Sequence, residues 1–439
     1  MTRPLRVVHV AMEMTPAIKV GGLADVVAGL GAEQQRQGAD VRVILPDYGG
    51  LFHEVAQTPL PHAAWDLAWN GTPRRQSMSL GRVAGFEGQV YLLDDPSFRG
   101  RPAVYVDPET GSEFQDTAER CLAFCRGALA LLGRIDWVPD IVHVHDFQTA
   151  PVPVMLRRGP QLGLDPLPKT VLTIHNLAFQ GVYDPDTWSL VQVPLEGWYP
   201  GGPLEFWGKT NFLKAGLLDA DRITTVSCRY AEEITRDPDM GEGLGGVLAG
   251  LGDRLTGIVN GLDTEVWNPN SDPLLPHPYS RTTLAGKRKN KGALLERVGF
   301  SRRLDRPVLD MVTRLTSQKG LDLLVEGWNE FMQRDVSLVV LGSGERRFEE
   351  FFQAQAAGQP GRVFYQNAFD EPLAHLIQGG ADILLMPSRY EPCGLTQLIA
   401  MRYGTVPLVR RVGGLAETVD DADQAGDLGT GFSVDGYTP

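Results

Sequence analysis

At 439 residues the chain is too long for one ordinary core and suits two domains, and its 43% apolar and 22% charged content is that of a globular protein. Its 54 acidic against 41 basic residues leave a formal charge of −13, which repels a nucleic-acid backbone over most of the surface and requires any phosphate to be held by a local basic pocket. Cys121, Cys125, Cys228 and Cys393 show no CxxC spacing, which argues against a disulfide framework and against a structural zinc site.

The chain opens on Leu5 to Met14, an apolar run interrupted by His9 and Glu13 and too short for a signal peptide or a membrane span. A cytoplasmic protein with no membrane partner is expected. The first strand, Val7 to Val10, leads into Lys19-Val20-Gly21-Gly22, where glycines permit close backbone approach at a helix start that favours negative charge. A dinucleotide-binding dehydrogenase competes for such a loop but needs a GxGxxG pattern that is missing; a plain tight turn is the other reading. Strand-like runs follow at Val41 to Leu45, Ile141 to His145, Thr170 to Ile174 and Ile223 to Val226. His143-Val144-His145-Asp146 and Thr173-Ile174-His175-Asn176 close two of them alike, so both point polar groups at one edge of a first sheet. Such histidines serve either as hydrogen-bonded structural residues or in a site. Asp237-Pro238-Asp239 has the spacing of a divalent-ion pair but lies in a Pro/Gly-rich stretch running to Gly246, and no metal is assigned.

Gly257 to Asp263 is a short strand-like piece closing in turn residues, which places a domain boundary near residue 255 and gives domains 1–255 and 256–439. A fresh strand, Val308 to Val312, ends near Arg314 and Lys319, with Gly320 before the next helix. A guanidinium fork and an ammonium on one loop can converge on a diphosphate and stabilise it as it leaves, without a metal; surface salt bridging is the alternative. Ser337 to Leu341 and Ile383 to Met386 are the next strands, and Pro387 turns the chain toward Glu391 at a strand-to-helix junction. There the amides of Gly394, Leu395 and Thr396, beside Cys393, are expected as unpaired donors suited to an anion. Strands alternating with helical patterns from end to end predict an α/β protein of parallel sheets in two doubly wound units, whose ligands bind beyond the carboxyl ends of the strands. No nucleophile elbow or Ser-His-Asp order is present.

Six ordered segments carry a resemblance: Lys19 to Val27, His143 to Asp146, Thr173 to Asn176, Asn260 to Asp263, Arg314 to Gly320 and Glu391 to Gln397, with Pro407 to Thr418 added to them. Through these the chain resembles, from about Val7 to Phe432, the bacterial glycogen synthases and plant starch synthases of glycosyltransferase family 5. The resemblance implies two Rossmann-like domains facing an interdomain cleft, the B-type glycosyltransferase architecture. It implies transfer of glucose from ADP-glucose to the non-reducing end of an α-1,4-glucan such as glycogen, with retention of configuration and with neither metal nor cofactor. Carried over, Lys19 and the Gly21 and Gly22 backbone would touch the donor phosphates and the acceptor edge, Arg314 and Lys319 would hold the diphosphate, Glu391 would bind glucosyl hydroxyls and His175 would lie next to the anomeric centre. Glu13, Asp25, Tyr105, Asp146, Asn176 and Asn260 would line the acceptor and glucosyl side, and Phe369 would face the adenine. Val20, Phe147 and Phe369 stand where Thr, Trp and Tyr are usual. Family members normally finish in a helix crossing back onto the first domain, and that helix is expected to be missing from a chain ending at Pro439. Use of UDP-glucose, or a glucan-binding protein silenced by truncation, are the alternatives.

Overall fold

The computed structural model describes residues 3–53, 55–159, 164–191, 199–368 and 370–439. Packing divides the chain into one unit of Met1–Val226 with Ala231–Gly261 and another of Ser227–Tyr230 with Leu262–Pro439.

The first unit is built on a nine-stranded sheet. Its strands are β1 (Arg6–Val10), β2 (Asp40–Pro46), β3 (Val55–Trp69), β4 (Thr72–Val83), β5 (Val90–Asp94), β6 (Ile141–His145) and β7 (Lys169–Ile174). A small separate sheet holds β8 (Val182–Tyr183), β9 (Glu205–Phe206) and β10 (Lys209–Asn211), after which β11 (Arg222–Thr225) and β12 (Leu255–Gly257) complete the large one. The order is β12-β11-β7-β6-β1-β2-β5-β4-β3, parallel from β12 through β5. β1 and β6 are buried at four of their five positions and so are covered on both faces, yet β1 is apolar except for Arg6 and His9 while β6 alternates valine with histidine. The core beneath β1, β2 and β5 gathers Val7, Val27, Val41, Val43, Leu45, Val90 and Leu92.

Patterning predicts only parallel strands here, and the structure corrects that: β5 pairs antiparallel with β4, and β4 with β3. β4 alternates only weakly between exposed and buried positions, so its period is blurred. The Asn70-Gly71 tip, with φ of 45° and 77°, is nevertheless the left-handed pair that hairpins favour, and it was legible. The strand expected at Gly257 to Asp263 also shifts: β12 ends at Gly257, and 258–263 form no regular element.

The second unit is wholly parallel. Its strands β13 (Val308–Val312), β14 (Ser337–Leu341), β15 (Val363–Gln366), β16 (Ile383–Met386), β17 (Val406–Arg410) and β18 (Phe432–Val434) lie in the order β15-β14-β13-β16-β17-β18. The chain winds outward from β13 to β15, then crosses back and winds outward from β16, so β13 and β16 flank the switch point where open α/β sheets take ligands. Among the described residues no helix is long and apolar enough to cross a membrane.

Candidate active site

In the second unit the loops leaving β13 and β16 meet at the switch point. Gly320 has φ 71°, and a Cβ there would lie 2.0 Å from the Pro387 carbonyl oxygen, so only glycine lets the first loop rest on the second. The backbone N–H of Arg389 donates to Gln318 O at 2.8 Å, and Glu345 accepts from the Ser317 amide and hydroxyl at 2.7 and 2.9 Å. The loop so pinned delivers Lys319, whose Nζ lies 2.6 Å from Glu391 Oε2; Ser388 Oγ donates to the same oxygen at 3.0 Å. Glu391 is 5% exposed. Its carbonyl accepts the Gly414 amide at 3.0 Å, and a Cβ on Gly414 would meet the Cys393 carbonyl oxygen at 2.2 Å, a second close approach reserved for glycine.

Lys319, Ser388 and Thr396 line a small recess with Met311, Thr313 and Met386. The Cys393 thiol is buried, and Gln397 Nε2 donates to the carbonyls of Cys393 and Gly394, holding the turn that carries Gly394 at φ 75°. Leu395 precedes the helix Thr396–Arg402, which no side chain caps. Arg314 sits on the Lys319 loop with its side chain exposed and, among the described residues, unpaired. Phe369 lies outside the described residues.

In the first unit Glu13 organises the glycine loop. Its Oε2 accepts the amides of Val20 and Gly21 at 2.6 and 3.0 Å, and Tyr105 OH donates to Oε1 at 2.9 Å. Burial raises the Glu13 carboxyl above its ordinary range, and the two amides pull the other way. Lys19 Nζ donates to Asp25 Oδ1 at 2.8 Å, which also accepts from Thr15 Oγ1 at 3.1 Å. Gly22 begins the helix Gly22–Arg36 with Gly21 as its N-cap. Glu13, Lys19, Gly21, Gly22, Asp25 and Tyr105 therefore form one cluster after β1.

A second cluster follows β6 and β7. Asp146 has φ 55°, unusual for a non-glycine residue, and its Oδ1 accepts the His175 amide at 2.6 Å. Although Asp146 keeps some surface exposure, the atoms around it desolvate its carboxyl and push it up to about 7, against the pull of the His175 and Asn176 amides. Burial likewise pushes the His175 imidazole down to about 3, so the ring is neutral. Asn176 Oδ1 accepts the Ala178 amide at 3.1 Å. Phe147 is buried, and Gly181 approaches its ring so closely that a Cβ would lie 2.4 Å away. Asn260 lies beyond β12, in neither cluster.

Among the described residues one group of three metal-type ligands lies close enough together to share an ion: His9, His143 and His145, all buried. Asp237 is not in such a group; its Oδ1 accepts the Asp239 amide at 2.9 Å. Sequence reasoning passed over Ser388, Gln34 and the use of His9. A polar residue inside the buried run of β1 was the available signal for His9.

Residues 6–250 match the family described as starch synthase catalytic domain, and residues 296–439 match glycosyl transferases group 1. The chain is 42% identical to a glycogen synthase of Opitutus terrae over 98% of its own length and 88% of the relative's. It is 43% identical to glycogen synthase 1 of Methylococcus capsulatus, over 95% and 83% of the two lengths. The catalytic domain of starch synthase IV from Arabidopsis thaliana, solved bound to ADP and acarbose, matches it with a TM-score of 0.90 and 32% identity, over 99% of this chain and 89% of that one.

Proposed function

This chain belongs to the starch and glycogen synthase family and has its two-domain B-type glycosyltransferase fold, and from that premise we propose that it moves glucose from ADP-glucose to the non-reducing end of an α-1,4-glucan. The family is one of retaining glucosyltransferases, and the assigned process is glycogen synthesis. The observation that carries the reading is the Lys319–Glu391 pair at the β13/β16 switch point, a half-buried cation and a buried carboxylate poised 2.6 Å apart. A diphosphate arriving there competes for Lys319, with Arg314, whose side chain is exposed, as the second cation. Released from the ammonium, Glu391 is then available to accept from glucosyl hydroxyls. His175, Asp146 and Asn176 of the first unit serve the sugar, and Lys19 and the Gly22 end of its helix serve the anion.

Charge development decides the rate. The departing nucleotide diphosphate gains negative charge while the glucosyl ring becomes cationic, so fixed cations on one and carboxylates on the other bind the transition state more tightly than the ground state. Removing one such donor from a water-poor site costs about two decades in kcat. A front-face path, in which the leaving phosphate takes the acceptor hydroxyl's proton, needs no protein nucleophile. The ADP and acarbose held by the Arabidopsis structure support an adenine nucleotide donor and a glucan-like acceptor.

The test is incorporation of labelled glucose into glycogen from ADP-glucose and, in parallel, from UDP-glucose. ADP-glucose is expected to be used at a higher kcat/KM, and Lys319→Ala and Glu391→Ala to lose most of that transfer while keeping their circular dichroism. Equal use of both donors sinks the adenine assignment, and full activity in both variants sinks the site.

A further inference from the structure

Four histidines lie along one face of three neighbouring strands. His9 of β1 is in register with His143 of β6, His145 follows two residues on, and His175 stands just beyond β7. Three of them form a line. His9 Nδ1 is 3.1 Å from His145 Nε2, and His145 Nδ1 is 3.0 Å from His175 Nε2. The ring centres are 5.4 and 5.3 Å apart, longer than the nitrogen contacts by roughly two ring radii, so each bond runs edge to edge along the line of centres. At the far end His9 Nε2 is 2.8 Å from Gln34 Oε1, on the helix Gly22–Arg36. His143 stands off the line: its Nε2 bonds Thr173 Oγ1 at 2.7 Å, and its ring faces His9 and His145 at 4.8 and 4.5 Å.

This geometry is not that of a metal centre. A shared ion needs nitrogen lone pairs converging on one point, but both nitrogens of His9 and both of His145 are committed along the line. Burial lowers His9 to about 4 and holds His145 well below its usual range, so each ring carries one proton.

We propose that Gln34, His9 and His145 are positioning residues that form a one-way hydrogen-bond relay, fixing His175 as the Nε2–H tautomer and leaving its Nδ1 as an acceptor for a sugar hydroxyl. The direction follows from the end of the line. An amide oxygen only accepts, so His9 carries its proton on Nε2 and accepts at Nδ1. His145 must then donate from Nε2 and accept at Nδ1, which obliges His175 to donate from Nε2. Among the described residues nothing bonds His175 Nδ1. This inference rests on the proposed role of His175 toward the sugar.

Nitrogen-15 histidine spectra of the whole chain read the tautomers directly. His9, His145 and His175 are expected as Nε2–H, with ring shifts constant between about pH 5.5 and 8.5. Gln34→Lys puts a donor at the start of the line; it is expected to turn all three rings to Nδ1–H and to lower kcat about tenfold, one hydrogen bond's worth, with donor KM unchanged. Gln34→Glu restores an acceptor, and with it the parent tautomers and rate. An Nδ1–H or protonated His175 in the parent, or a Gln34→Lys variant that keeps Nε2–H there, overturns the relay. If Gln34→Lys does not fold, the parent spectrum still decides the direction. Parent spectra as expected but transfer indifferent to His175→Ala would refute the role of His175 and leave the tautomer assignment standing, so the two failures are told apart.

Discussion

On the proposed function, Asp146 and the Lys319–Glu391 pair set the conditions of activity. Burial holds the Asp146 carboxyl protonated up to about pH 7, and the role proposed for it toward the sugar calls for the ionised form, in which both oxygens accept. In the free enzyme kcat/KM is therefore expected to rise through about pH 7, and Asp146→Asn to flatten that limb along with lowering the rate, read from initial velocities across the pH range. The same group sets a slope in stability. Its folded value lies above the ordinary carboxylate value of 3.8, so the folded state binds the proton more tightly and stability falls as pH rises from about 4 to 7. Lys319 and Glu391 are 16% and 6% exposed at their side chains, so removing one partner strands the other. Lys319→Ala is expected to cost about 3 kcal/mol in urea unfolding, and adding Glu391→Gln to recover most of it without recovering transfer. Stability rescued together with transfer would detach the pair from the chemistry.

At the scale of elements, the two loops beyond β13 and β16 work as one piece because Gly320 lets their backbones touch. Gly320→Ala forces a left-handed backbone on a residue with a Cβ, costing about 1–3 kcal/mol before the contact with Pro387 is counted. Displacing its neighbour Lys319 is expected to lower kcat more than the thermal midpoint alone accounts for; a variant with parent kcat would show that the loop's position is not critical. Strands such as Val308–Val312 were legible because a strand covered on both faces is apolar at most positions, Asp310 being the buried exception. The hairpin of β3 and β4 was legible only at its Asn70-Gly71 tip, since the environment of β4 differs from residue to residue along the strand. The loop residues Lys319 and Glu391, with the glycines beside them, stood out in the sequence, and the structure brings the two side chains together. Ser388, three residues before Glu391, is a local partner, whereas the Gly414 amide depends on an approach that no spacing in the chain reveals.

For the whole molecule, a nucleotide that binds only the folded chain stabilises it by mass action, about 2.7 kcal/mol at a hundredfold excess over Kd. Excess ADP is expected to raise the thermal midpoint of the parent and to raise that of Lys319→Ala much less. An equal rise in both would place nucleotide binding away from Lys319. The net charge of −13 makes such binding depend on local cations rather than on the overall field. The α/β class, the parallel runs, the glycine turns and the kinds of residue at each strand end were all determined by the sequence alone, because burial and backbone conformation constrain neighbours in the chain. The tertiary structure alone decided that Glu391 is held by Lys319, that Glu13 closes the glycine loop onto Tyr105, and that Gln34 stands at the head of a line ending at His175. Apart from the bonds of Glu13 to the nearby Val20 and Gly21 amides, each is a hydrogen bond or ion pair a few ångströms long between residues well apart in the chain, and only the packing of whole elements brings such groups within reach.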